Sequence, residues 1–382
     1  MRGSSVFSRA ILLTYLVLTI SGSELKCIHG GENSAQIHIG QQANMTIQAE
    51  DGDIYDCVGV NLQPTFQHPI LKDHKTQMEP SSFPIGLEMQ SPSVSAYSQA
   101  QLSTVDCPIG TIPILRNNID TTMVKHIGLR VSDDVQQLAA GIKYRDEIYG
   151  VRASINVYEP KVKKNSKDLS ASWIQLNNGP RPGRVGIGAG SMVDPSSSAD
   201  SYARFHISWD NEELNKTCID HNCPGFVQVS QNVGLGGRIH PVSIYNGPQY
   251  VINVLIFKDP KTKNWWLVYG SNNMPIGYWP SSQFSYIKDK GDFAYFGGYV
   301  QGPTGSSDPP QMGSGHFADE GFGKAAFIRN IQVTDENNKL VTPNIRIADP
   351  GSSNLNLYTY GGYGINDDGM HIYYGGPGKY KE

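Results

Sequence analysis

Two short runs constrain this chain more than any other feature of its sequence. Gly150–Pro160 (GVRASINVYEP) alternates Val151, Ala153, Ile155 and Val157 with Arg152, Ser154, Asn156 and Tyr158. Ala203–Trp209 repeats the pattern, setting Ala203, Phe205, Ile207 and Trp209 against Arg204, His206 and Ser208. A period of two puts each set on its own face of a β-strand, one face in a core and the other toward water. Further strands are expected over 224–230, 250–257, 264–270, 293–300, 325–333 and 370–374, parted by turns such as KDPKTKN at 258–264 and DENNK at 335–339. The 41 glycines and 23 prolines supply turn-formers in quantity, and no fixed-period repeat or heptad competes with the strand pattern. Many short strands joined by Gly-rich turns fold as an antiparallel sandwich or a partly closed barrel.

A chain of 382 residues exceeds a single β core of roughly 200–250, so a second, smaller unit is expected. The texture of the sequence places it. Residues 24–130 are polar and punctuated by proline, whereas the strand-rich part runs over 135–382. Ahead of both, Arg2 and Arg9 accompany the eleven-residue apolar run Ala10–Ile20 and the small residues Ser21, Gly22 and Ser23. That is the layout of a signal peptide over 1–23. Its apolar run falls short of the roughly 20 residues needed to cross a bilayer, so a secreted, soluble protein with no membrane partner is expected. With 31 basic and 35 acidic residues the formal charge is −4, and the positive field that nucleic acid requires is missing.

An oxidising compartment makes disulfides the default for the five cysteines. Cys218 and Cys223 are close enough for a local bridge. By elimination Cys57 and Cys107 bridge the N-terminal unit, which leaves Cys27 as the odd one. Asn44-Met45-Thr46 and Asn215-Lys216-Thr217 are glycosylation sequons. No CxxC or HExxH spacing argues for a metal, and no cofactor is expected. The nucleophile elbow, the P-loop and the EF-hand loop are all missing. Gly186-x-Gly188-x-Gly190 and Gly234-x-Gly236-Gly237 are fragments of a dinucleotide fingerprint without its βαβ setting. His316, two residues after Ser314, reads as a structural histidine in a Gly-lined turn.

Longer strings carry more information. The N-terminal unit has DCVGVNLQPTFQHPILKDHK from Asp56 and CPIGTIPILR from Cys107; the later unit has CPGFVQ at Cys223, WWLVYG at Trp265, GYWPSSQF at Gly277, MGSGHF at Met312, GFGKAAF at Gly321 and GGPG at Gly375. In this order they resemble the neprosin family of secreted plant proteins. The resemblance implies an activation domain followed by an all-β, antiparallel bent sandwich of the glutamic-peptidase kind, which cuts after proline. In that chemistry two close carboxyls cannot both ionise, so the charged one takes a proton from water and the neutral one serves the oxyanion or the leaving nitrogen.

The family's first glutamate lies in I-E-A-G-W; the matching string here is Ile187-Gly188-Ala189-Gly190-Ser191. Its second follows a Gly-Gly pair, where this chain has Gly297-Gly298-Tyr299. Gly188 has no side chain to ionise, and a phenol with a pKa of about 10 stays neutral in acid. Losing even one acid or base group costs on the order of 10²–10⁴ in rate, so an inactive member is expected. Asp194 shares a strand face with Gly188 but at about 20 Å, and Asp292 falls on the face opposite to Tyr299. The family's C-terminal GGPGC ends here in Lys379, so that bridge is expected to be gone. Family members release the activation domain by autolysis in acid; an inactive chain is expected to keep its N-terminal domain on the cleft. Ser191, Trp279, Tyr295 and Tyr299 are the candidate cleft residues; Trp265, Trp266, Tyr278, Trp279 and Tyr295 form an aromatic group of which half are expected in the core. The expected partner is a proline-containing or wall-associated polypeptide. An acid endopeptidase using other carboxyls, and a structural or storage role, are the alternatives.

Overall fold

The alternating runs pair into two facing antiparallel sheets. The computed structural model describes residues 43–87, 97–116, 136–164, 166–180, 184–211, 215–303, 307–367 and 369–379. The expected signal peptide and Cys27 lie outside the described residues, as does most of the junction after Arg116. One sheet has seven strands, ordered Lys216–Ile219, Arg204–Asn211, Val185–Val193, Leu169–Asn178, Phe293–Gly302, Gln136–Tyr144 and Asp349–Ser352. The facing sheet runs Val227–Gln228, Met274–Trp279, Trp265–Tyr269, Tyr250–Lys258, Gly150–Asn156, Ala326–Thr334, Gly369–Gly375 and Thr359–Asn366. Two short strands complete it: Leu340–Val341 pairs with Ala326–Thr334, and Ser98–Gln99 lies parallel to the start of Tyr250–Lys258. Ile174, Ala189, Phe205 and Phe296 from the first sheet meet Ile155, Ile256, Trp265 and Ile328 from the second in one continuous core. Each such Ile or Phe side chain stabilises the fold by about 1.5–3 kcal/mol through burial.

Two expectations need correcting. Gly150–Asn156 is buried at every position rather than on one face only. It is an interior strand, and its polar side chains bond within the chain: Ser154 Oγ to Asn253 Oδ1 at 2.6 Å, and Asn156 Nδ2 to Ser243 Oγ at 2.8 Å. The strand expected over 224–230 shortens to Val227–Gln228, because no further strand pairs beyond it. Instead the Gln63 amide closes that edge, donating to the Gln228 carbonyl (3.0 Å) while accepting from its N–H (2.8 Å). A side chain thereby supplies both partners that an exposed edge lacks.

The N-terminal unit holds a three-stranded sheet, Ala43–Gln48, Ile54–Gly59 and Thr111–Leu115, stapled by the Cys57–Cys107 disulfide. It grips the sandwich at several points. Phe66 and Leu87 pack on the apolar cluster that holds Leu255, Trp266 and Tyr278, on the outer side of the ten-stranded sheet. Tyr278 Oη accepts from the Gln77 N–H at 2.9 Å, and Asp259 accepts from the Ser81 N–H and hydroxyl, both at 2.6 Å. Arg204 reaches both oxygens of Asp53, at 2.7 and 3.0 Å, and also binds Asp200. Burial works against the Arg204 charge, but these two carboxylates outweigh it and push its pKa above the ordinary value.

Candidate functional site

The strands carrying Gly188 and Tyr299 do not touch. Leu169–Asn178 lies between them, and its side chains decide what the site contains. Its register sets Trp173 between Gly190 and Gly297, and Ala171 between Met192 and Tyr299. Because side chains alternate, Ile187, Ala189 and Val193 enter the core while Gly188, Gly190 and Met192 face the other way. Trp173, Met192 and Tyr299 gather there with Leu169, Ala171 and Ile219 into a separate apolar cluster.

The two glycines let the indole of Trp173 lie down on the strand. A Cβ at Gly188 would stand 2.3 Å from Trp173 Nε1 and 2.9 Å from the Ile174 carbonyl; one at Gly190 would meet the Ser172 carbonyl at 2.2 Å and Trp173 Cε3 at 2.9 Å. The indole therefore fills the space where a side chain at 188 would begin. Tyr299 meets it edge-on, with ring centroids 6.1 Å apart and planes at 81°. Trp173 and Tyr299 are 1% and 3% exposed. Burial pushes the Tyr299 hydroxyl well above its ordinary pKa, and the Asp194 carboxylate adds to the rise. Neither position thus presents a group that changes charge in acid.

Neighbouring carboxylates are engaged elsewhere. Asp194 caps the short helix Pro195–Ser198: it accepts from the N–H groups of Ser196 (3.1 Å) and Ser197 (3.3 Å), and from both of their hydroxyls at 2.6 Å. Asp292 lies just ahead of its strand and pairs with Arg184 at 3.7 Å.

Two candidate cleft residues are corrected. Ser191 alternates with Gly190 and so shares the interior-facing set of Ala189 and Val193. Trp279 is wholly buried in the main core, edge-on to Phe226 with centroids 4.9 Å apart. Tyr295 shares the face of Tyr299, but its hydroxyl donates to the Gly298 carbonyl at 2.6 Å and is pushed far up by burial. Of the other aromatics, Trp265 is core, with Nε1 on the Ile287 carbonyl at 2.9 Å, and Trp266 and Tyr278 belong to the outer cluster against which Phe66 and Leu87 pack. The division between two faces follows from strand parity, but all of these rings are buried, more than the half expected.

The remaining motifs are structural. Gly186, Gly188 and Gly190 lie within a strand, not at a helix start. Gly234 makes room for the N-terminal unit, since a Cβ there would stand 2.1 Å from Tyr55 Cε1. His316 Nδ1 lies 2.9 Å from Glu320 and its ring stacks on Tyr245, while the Ser314 hydroxyl accepts from the His316 backbone. Cys218 and Cys223 are bridged, and two disulfides suit oxidising surroundings. Asn215 is exposed at the turn before Lys216–Ile219, and Asn44 falls in Ala43–Gln48. Among the described residues, no group of three or more His, Cys, Asp or Glu is placed to hold a metal, and no helix is long and apolar enough to cross a membrane.

The fold and site define an antiparallel β-sandwich protein with an appended N-terminal unit and an aromatic cluster on the outer face of its seven-stranded sheet. The Neprosin family model matches residues 166–377 and the Neprosin activation peptide model matches residues 46–137. This chain belongs to the Neprosin family, and its N-terminal unit is the activation peptide. It is similar to Scytalido-glutamic peptidase bound to a peptide-based transition state analog, at 10% identity and a TM-score of 0.34 over 63% of this chain and 98% of that one. It is also similar to SCP-B, a member of the Eqolisin family of peptidases, in complex with the tripeptide Ala-Ile-His, at 10% identity and a TM-score of 0.31 with the same coverage.

Proposed function

We propose that this chain is a secreted, non-hydrolytic member of its family that binds proline-containing or wall-associated polypeptides without cutting them and keeps its N-terminal domain. The observation that carries this reading is the Trp173 indole lying 2.3 Å from where a Gly188 side chain would start. A carboxyl pair needs two acids close enough to share a proton. Here one position is a backbone covered by an aromatic ring and the other is a buried phenol. Water at such a surface meets no base, and an amide nitrogen meets no acid. Self-cleavage calls on the same groups, so retention of the N-terminal domain follows from the same loss. The flat faces of Trp173 and Tyr299 suit proline rings. Both are buried, so a polypeptide reaches them only by parting the apolar cluster.

The test is capture on an array of proline-rich peptides at acidic and neutral pH, with the captured peptides weighed afterwards. Intact captured peptides support the proposal. Shortened peptides contradict the loss of activity, and no capture contradicts the binding role. Purified secreted protein whose first residue lies near 130 contradicts retention of the N-terminal domain.

A further inference from the structure

Away from this site, the edge of the ten-stranded sheet is held by a side chain that imitates a strand. Among the described residues Val227–Gln228 is the outermost strand of that sheet, paired on its inner side with Met274–Trp279. Two residues facing each other in a hydrogen-bonded antiparallel pair exchange both of their main-chain bonds. Gln63 makes the same two bonds from one amide: Oε1 accepts from the Gln228 N–H at 2.8 Å, and Nε2 donates to the Gln228 carbonyl at 3.0 Å. Gln63 is 1% exposed and Gln228 is fully buried. Just ahead of the strand, the Gly225 N–H donates to Thr65 Oγ1 at 3.2 Å. Three main-chain groups of one edge are thus served by side chains of the N-terminal unit.

The segment that serves them is itself a proline-containing polypeptide, Gln63-Pro64-Thr65-Phe66. Pro64 brings no N–H that would need an acceptor, and it is buried beside Thr65. Phe66 packs against the apolar cluster that holds Val227, Trp266 and Tyr278. Pro64–Gln67 is a single turn, and the N-terminal unit has other holds: Asp53 on Arg204, Ser81 on Asp259, and the pairing of Ser98–Gln99 with Tyr250–Lys258. The turn can therefore give way while the unit stays seated. An extended polypeptide offers the same carbonyl and N–H from its main chain, and it continues along the edge with further bonds, which a lone side-chain amide cannot. Proline is compatible with such an added strand where its missing N–H points away from the sheet.

We propose that Val227–Gln228 is a docking edge for an extended, proline-containing polypeptide, and that Gln63–Phe66 is an internal substitute which the ligand displaces. The ligand class is that of the binding role proposed above, on which this site rests, but the place is distinct from the Trp173–Tyr299 cluster. The test is fluorescence anisotropy of a labelled proline-containing peptide with the full chain, beside the same peptide N-methylated along its backbone, with amide exchange followed at Gly225 and Gln228. Gln63→Ala takes away both bonds of the substitute and is expected to strengthen binding roughly tenfold. Thr65→Val keeps the shape, removes one acceptor, and is expected to strengthen it several-fold with the fold intact. Bound peptide is expected to slow exchange of the Gln228 amide in Gln63→Ala, and the N-methylated peptide is expected not to bind. Affinity unchanged or lowered in Thr65→Val overturns the proposal, as does equal binding of the N-methylated peptide. Capture of peptides by the parent, with exchange at Gln228 unmoved by peptide in either variant, puts the binding elsewhere; that sinks this site and leaves the binding role standing. No binding by any form sinks both.

Discussion

Replacing Gly188 with alanine tests whether the indole truly occupies that space. In an open strand, alanine in place of glycine gains about 0.5–1 kcal/mol by restricting the unfolded chain. Here the new methyl stands 2.3 Å from Trp173 Nε1, about 1 Å inside ordinary van der Waals contact. The indole can tilt, but the Ile174 carbonyl at 2.9 Å belongs to a laddered strand and yields little. Overpacking of this kind costs about 1–3 kcal/mol, which offsets that gain and leaves a net loss of up to about 2.5 kcal/mol. Gly351→Ala is the control, a strand position with nothing within 4 Å of the added methyl. The measurement is the urea midpoint at unchanged slope. Gly188→Ala is expected to lower it and Gly351→Ala to leave it equal or raise it. In a Trp173→Phe background the cost of Gly188→Ala is expected to shrink, exposing the coupling in a double-mutant cycle. A Gly188→Ala protein as stable as the parent would show that the indole does not fill the site.

Opening the Cys57–Cys107 bridge with paired Cys→Ser changes is expected to cost about 2–5 kcal/mol and to loosen the N-terminal sheet first, as limited proteolysis will register. Asp53→Asn leaves Arg204 with Asp200 and the Gly236 carbonyl, so a loss of about 1–3 kcal/mol is expected in the same urea titration. Burial pushes Lys258 from an ordinary value of 10.5 down to about 7, so between those values the unfolded chain holds more protons than the folded one. Stability from this group is expected to rise with pH across that window, and the rise is expected to vanish in Lys258→Met. An unchanged slope in that variant assigns the rise to another group.

The sandwich was legible because its strands carry a period-two signal. Val151, Ala153 and Ile155, and likewise Phe205, Ile207 and Trp209, all face the core as the alternation requires. The N-terminal sheet was hidden for the opposite reason: Tyr55, Asp56, Cys57 and Val58 are buried in succession, so no alternation marks them. Parity could divide Trp265 from Trp266 but not say that the N-terminal unit covers the second. Trp173 escaped notice because its position over Gly188 depends on pairing in space rather than on spacing in the chain. The glycines at 188 and 190 were the available clue: two small residues on one strand face make room for a large neighbour lying flat.

The most direct test of the central claim is to incubate the purified full chain with a proline-rich protein in acid, beside an active acid prolyl peptidase, and to map new termini by mass spectrometry. No termini above the enzyme-free blank are expected, and the N-terminal domain is expected to be still attached. Fragments ending in proline, formed at a rate proportional to the amount of this chain, contradict it.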